Sequence, residues 1–300
     1  MAMMGASNIS MKREYIKYLF ALLLFGSNGI VASYISLNSY EIVFTRTLIG
    51  SAFLAAVFFF SKKELQFLKN RKHFGFLFLS GVAMGTSWMF LYEAYMQIGV
   101  GIATLAYYFG PVIVLICSPF IFRERMSPAK ILSFFAALLG MIFVNGTALQ
   151  RSGLSQGVLF GILSAFMYAL MVILNKKVSS ITGLENSMCQ LFASFLVVAL
   201  FTLTKQGGTF SFKSQSIIPI LFLGIVNTGI GCYLYFSSIQ QLRVGTVAIF
   251  GYLEPLSALV LSALILREQL TPIQILGAVL ILGGAIFGEL FQNKSFPKQS

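Results

Sequence analysis

Residues 91–128 read LYEAYMQIGVGIATLAYYFGPVIVLICSPFIFRERMSP, and residues 235–272 read YFSSIQQLRVGTVAIFGYLEPLSALVLSALILREQLTP. Setting Pro111 on Pro255 gives an offset of 255 − 111 = 144. Without a gap, that offset pairs Gly85 with Gly229, Gln97 with Gln241, Val100-Gly101 with Val244-Gly245, and Tyr108 with Tyr252. It also pairs Ser118 with Ser262, Arg123-Glu124 with Arg267-Glu268, Pro128 with Pro272, and Gly140 with Gly284. Chance matches do not hold one register over so long a span, so the chain reads as two copies of one unit.

The composition says what kind of unit this is. With 57% hydrophobic and 10% charged residues and a mean hydropathy of +0.86, the chain has too little polar surface to cover a water-soluble body. It reads as an all-α integral membrane protein. The net charge of +12 sits in short clusters between apolar runs rather than on an aromatic-interleaved soluble face, which points away from nucleic acid. Cys117, Cys189 and Cys232 lie inside apolar runs with no metal-ligand spacing, so no disulfide framework, metal site or cofactor is expected.

A helix needs about 20 apolar residues to cross a bilayer, and ten stretches qualify: 15–36, 40–60, 74–97, 102–122, 128–148, 157–176, 183–204, 217–240, 246–266 and 272–291. This divides the chain into a tail at 1–14, of which 1–10 reads as polar and disordered, a first five-helix repeat at 15–148, a linker at 149–156, a second repeat at 157–291 and a tail at 292–300. Lys12, Arg13, Lys17, Lys62, Lys63, Lys69, Arg71, Lys72, Arg123, Arg125, Lys130, Lys176, Lys177, Arg243, Lys294 and Lys298 fall on one side of such a chain, whereas Arg151, Lys205, Lys213 and Arg267 fall on the other and Arg46 within a span. The positive-inside bias then places both termini in the cytoplasm. Five spans is an odd number, so the second copy enters the membrane upside down. The expectation is ten transmembrane helices arranged as two inverted five-helix repeats, a common plan among secondary transporters.

Ten spans, paired repeats, a proline in the fourth and ninth spans, and the Arg-Glu-x-(Met/Leu)-(Ser/Thr)-Pro junctions at 123–128 and 267–272 resemble the EamA-type members of the drug/metabolite transporter superfamily. The resemblance covers nearly the whole chain. It implies a small-molecule carrier of the cell membrane, often an exporter of amino acids or other metabolites, with a cavity between the halves. Glu124 and Glu268 belong to those junctions and read as loop-fixing groups.

Helical spacing places Gly81, Gly85, Trp88, Tyr92 and Tyr95 on one face of the third span. Similar stripes carry Thr104, Tyr108, Pro111 and Ser118 in the fourth span, Ser164, Tyr168, Met171 and Asn175 in the sixth, and Gly224, Asn227, Gly231, Tyr235 and Ser238 in the eighth. The ninth carries Ala248, Tyr252, Pro255 and Ser262. Either these stripes line an aromatic, hydroxyl-rich chamber, or the small residues let helices pack closely while the aromatics fill the core. Pro111 and Pro255 free the carbonyls of Tyr107 and Gly251 and bend their helices, as hinges or as fixed kinks. Intramembrane charge costs about 2.5–3.5 kcal/mol on insertion scales. Arg46, Glu93 and Glu254 are therefore the sharpest candidates, as substrate contacts or as structural pairs such as Arg46 with Glu93 or Glu41. Glu254 stands where the first repeat has Gly110, which a packing role shared by both copies does not explain. His73, beside Arg71 and Lys72, reads as a solvated loop group.

The candidate substrate site is thus Arg46, Trp88, Tyr92, Glu93, Tyr108, Tyr168, Asn227, Tyr235, Tyr252 and Glu254. The cargo expected is a small amphipathic metabolite such as an amino acid, exported by alternating access. The alternative cargo is a cationic or lipophilic drug exchanged for protons. A membrane-embedded enzyme lacks support, since the spans hold no His, no Asp and no GxSxG. A non-transporting receptor would not need an inverted repeat. The partners implied are the substrate, the lipid bilayer and, as coupling ion, protons, in a monomer or homodimer.

Overall fold

The computed structural model describes residues 2–62, 64–124, 127–145, 156–206, 216–265, 267 and 269–295. In order run α1 (Ala2–Gly26), α2 (Asn28–Ser33), α3 (Ser39–Phe60), α4 (Arg71–Tyr107), α5 (Phe109–Phe122), α6 (Pro128–Asn145), α7 (Gln156–Lys176) and α8 (Gly183–Gln206). Then come α9 (Ile217–Phe222), a π-helical stretch (Leu223–Ile230), α10 (Gly231–Ile239), α11 (Val244–Phe250), α12 (Leu253–Ile265) and α13 (Pro272–Ser295), with no strand among the described residues. Helix is the form an apolar chain takes when lipid offers its backbone no hydrogen bonds. Among the described residues, eight helical stretches are long and apolar enough to cross a membrane, and Pro128–Val144 and Pro272–Gly288 are shorter apolar helices. The outer surface is apolar too: Phe60 and Phe120 are 86% and 84% exposed.

Polar residues act where a helix must start. Asn38 Oδ1 accepts the Glu41 backbone N–H at 3.0 Å, and Glu41 Oε2 accepts that of Asn38 at 3.0 Å, a reciprocal cap on α3. Asn70 Oδ1 accepts the His73 N–H at 3.1 Å at the start of α4. His73, expected to be merely solvated, ties the first turn of α4 to the loop between α7 and α8, since its Nδ1 accepts the Ser180 backbone N–H at 3.2 Å.

Contacts between the halves come in pairs related by the repeat. α3 meets α8 and α6 meets α13, each helix facing its own counterpart, while α5 meets α11, the helix just before its counterpart α12. α4 on α7 is matched by α10 on α1, and α5 on α7 by α12 on α1. The α6–α13 crossing shows why glycine is needed there. A Cβ on Gly140 would sit 2.5 Å from the Gly277 carbonyl oxygen, and a Cβ on Gly284, its repeat counterpart, 2.7 Å from the Ser133 carbonyl oxygen.

Several boundaries differ from those expected. α1 reaches back to Ala2, where a disordered tail was expected; residues 2–14 hold no proline to stop a helix growing from the apolar run. The third and fourth spans, Arg71–Val100 and Ala103–Phe122, follow each other without a loop, as two helices that meet inside α4 at a kink at Gly99 (φ 79°, ψ 162°), a conformation open to glycine. The fourth span is therefore the end of α4 plus α5, and the ninth is α11 plus α12. α13 also runs to Ser295, beyond the expected start of the tail at 292. The linker at 149–155, Arg125 and Glu268 lie outside the described residues.

Candidate functional site

Helix breaks, not regular helix, surround the centre of the bundle. α1 gives way to α2 at Ser27, α4 to α5 at Tyr108, and α11 to α12 at Gly251 and Tyr252. Pro111 and Pro255 each stand third in the helix after a break, where a missing N–H costs little. The carbonyl that Pro255 frees, Gly251 O, accepts the Glu254 N–H at 3.2 Å. The two breaks touch: Tyr252 Oη donates to the Tyr108 carbonyl at 3.2 Å, and these two tyrosines are repeat counterparts.

Beside the breaks lies a narrow chamber lined by Phe25, Asn28, Arg46, Met84, Ser87, Trp88, Tyr107, Tyr168, Met171, Cys232, Tyr235, Phe236 and Glu254. Both halves contribute. The space open to the centres of water-sized molecules is about 70 Å³, room for about five waters at 10–15 Å³ each, so a metabolite enters only if the walls part. Six of the thirteen lining residues are aromatic. Tyr107 and Tyr168 meet at 5.4 Å between centroids and 73°, Phe25 and Tyr235 at 5.7 Å, and the Tyr168 and Tyr235 hydroxyls are 3.1 Å apart.

Two opposite charges face this chamber. Arg46 is buried, donates from Nε to Thr228 Oγ1 at 3.1 Å, and lays its guanidinium over the Trp88 ring at 4.8 Å. Thr228 can accept because its own hydroxyl donates to Leu223 O at 2.8 Å inside the π-helical stretch. Glu254 lies within hydrogen-bonding reach of the Tyr108 hydroxyl. Neither charge enters an ion pair among the described residues, so each keeps polar capacity for a ligand.

A model of the EamA-like transporter family matches residues 12–146 and again residues 155–288. The chain belongs to the EamA-like transporter family. It is a multi-pass membrane transporter built from two copies of that family's unit. It is 26% identical over 273 residues to the "Uncharacterized transporter YxxF" of Bacillus subtilis (strain 168), covering 90% of this chain and 87% of that one. It is 25% identical over 195 residues to the "Probable amino-acid metabolite efflux pump" of Escherichia coli (strain K12), covering 61% and 65% of the two chains. A solved structure, titled only "Crystal structure of protein", superposes with a TM-score of 0.80 at 18% identity over 93% of this chain and 98% of that one, which establishes a shared fold.

In this EamA-like transporter, the residues expected at a substrate site separate into groups. Arg46, Trp88, Tyr168, Tyr235 and Glu254 line the chamber. Tyr108 touches Glu254, and Tyr252, fully buried, packs behind it against Tyr108 and Phe134. Asn227 sits one layer out: its Nδ2 lies 2.8 Å from Leu24 O, 2.8 Å from Ser27 Oγ and 3.0 Å from Asn28 Oδ1, and its Oδ1 is buried without a partner among the described residues. Tyr92 and Glu93 lie away from the chamber. Tyr92 packs with Tyr95 and the Tyr40 cluster. Glu93 Oε1 lies 3.1 Å from Lys205 Nζ, outside hydrogen-bond directionality, so the charge pairing considered for Arg46 belongs to Lys205 instead.

The small-residue stripe of the third span also divides. Cβ atoms on Gly81 and Gly85 would meet the Gln190 and Ser194 carbonyl oxygens of α8 at 2.4 and 2.7 Å, so these two residues serve close packing. The stripe on the eighth span is redistributed by the π stretch, whose i→i+5 bonds put more residues in each turn; Gly224 lies against Ile49 and Gly231 against Phe25. Phe25, Asn28, Met84, Ser87, Tyr107, Cys232 and Phe236 were not expected at the site. Tyr107 carried a readable signal, as the neighbour of Tyr108 before a proline, because a break there turns consecutive residues inward. Gly110 explains the asymmetry at Glu254: a Cβ there would come within 2.6 Å of the Tyr168 ring, so the first repeat leaves that position bare to seat Tyr168.

Proposed function

We propose that this chain is a secondary carrier that exports a small amphipathic zwitterion, such as an amino acid, across the cytoplasmic membrane. Its ten spans form two inverted five-helix repeats with both termini cytoplasmic, and the halves alternate access to the chamber. The observation that carries this reading is the pair of charges, Arg46 and Glu254, at one chamber with aromatic walls, neither in an ion pair among the described residues. A guanidinium suits a carboxylate and a carboxylate suits an ammonium, while the rings accept an apolar side chain. The name of the Escherichia coli relative is in keeping with such a cargo. The repeat-related helix contacts support the two-half mechanism. Pro111 and Pro255, placed at the touching breaks, are the hinges in this reading.

Thermal stabilisation of the purified protein by a metabolite panel tests it. A ligand at 100 times its dissociation constant adds about 2.7 kcal/mol. Free amino acids are expected to stabilise, whereas the matching amines and N-acylated acids are not. Equal stabilisation by amines that lack a carboxylate would favour export of cationic drugs, with a proton exchanged at Glu254.

A further inference from the structure

The two ends of the seam between the halves are packed differently. One end holds the start of α1, where Tyr15 meets Phe250 at 6.1 Å between centroids. There Glu124, in the loop after α5, accepts the backbone N–H of Val244 at 3.0 Å and that of Gly245 at 3.3 Å. The ammonium of Lys176, closing α7, donates to the carbonyls of Ile239, at 2.9 Å, and Leu242. The turn between α10 and α11 is thus gripped by a carboxylate from the first half and an ammonium from the second. Around the grip Val244 is 0% exposed and Ser127 and Lys130 are each 2% exposed.

The repeat offset carries these positions to the other end, where similar residues are left open. Val100, counterpart of Val244, is 63% exposed. Thr271, counterpart of Ser127, is exposed, and Gln274, counterpart of Lys130, is half-buried. A Cβ on Gly99 would meet nothing within 4 Å. Residue type does not account for the difference, since a valine is buried at one end and exposed at the other.

We propose that Glu124 is a positioning residue of the transport cycle: its carboxylate latches the 240–245 turn and holds this end shut. The cycle releases that latch and packs the Val100 end in its place. This rests on the carrier reading above. Bonds from backbone N–H to a carboxylate are charge-assisted. Glutamine keeps the shape and one acceptor but removes the charge and turns an amide N–H₂ toward donors.

The test uses the full chain with Cys117, Cys189 and Cys232 replaced by alanine and one reporter, Val244→Cys or Val100→Cys, labelled with a maleimide in lipid nanodiscs. Before any change at Glu124, Val244→Cys reacts slowly and Val100→Cys fast. Glu124→Gln is expected to speed labelling at 244 roughly tenfold or more, the factor that about 1.4 kcal/mol represents, and to slow it at 100. Unchanged rates at both sites in folded protein overturn the proposal, and so does a rise at 244 alone, which is local fraying. Glu124→Asp, with its shorter reach, gives an intermediate shift. Failure of both variants to fold makes Glu124 a static cap and also overturns the latch. Reciprocal labelling changes without transport of any zwitterion leave the latch standing and remove the proposed cargo; transport with unchanged labelling does the reverse.

Discussion

Arg46→Lys keeps the positive charge and removes the geometry. The native guanidinium is fixed by the 3.1 Å bond from Nε to Thr228 and by stacking 4.8 Å over Trp88, which leaves its terminal nitrogens free for a carboxylate. Lysine is a compact point charge without that planar fork. The ligand then loses at least one charge-assisted hydrogen bond, about 1.5–3 kcal/mol, so its affinity falls roughly ten- to hundredfold at 1.4 kcal/mol per decade. The fold is spared, because the Thr228 hydroxyl still donates to Leu223 O at 2.8 Å and no buried donor is orphaned. Isothermal titration with the stabilising amino acid measures the effect, and an unchanged dissociation constant would refute the carboxylate role of Arg46.

Gly140→Ala puts a Cβ 2.5 Å from Gly277 O and is expected to cost about 1–3 kcal/mol by overpacking, whereas Gly283→Ala, with nothing within 4 Å, is neutral; equal melting temperatures for the two would contradict the crossing. Asn38→Ala removes the α3 cap and lowers stability by about 1 kcal/mol, read by thermal unfolding in detergent. Lys205→Met breaks the pair with Glu93, but the lysine side chain is 54% exposed. A change under about 1 kcal/mol is therefore expected, and a larger one would show that Glu93 depends on that partner.

Two things the sequence shows well are repetition and periodicity. The offset of 144 is carried by residues whose backbone demands are strict, such as Pro111, Pro255, Gly140 and Gly284, and it anticipates the paired contacts between the halves. Arg46 and Glu254 were legible because charge in an apolar run has few homes. Helix irregularity was not legible. The π stretch around Asn227 alters which residues of the eighth span share a face, Tyr92 turns to the Tyr40 cluster although it lies on the third-span stripe, and no stripe was drawn on the first span, which supplies Phe25 and Asn28. Partner choice among charges was also hidden, because the lysine that reaches Glu93 comes from a helix end more than a hundred residues away.

Counterflow of a radiolabelled neutral amino acid in proteoliposomes, comparing the unmodified protein with Glu254→Gln, tests the zwitterion carrier most directly. Glutamine keeps the side-chain shape and removes the charge offered to the ammonium. The expected result is counterflow by the unmodified protein and none, or a loss of at least roughly tenfold, by a Glu254→Gln variant that is folded and equally incorporated. Counterflow at the unmodified rate in the variant, or none for any neutral amino acid with folded unmodified protein, would contradict it.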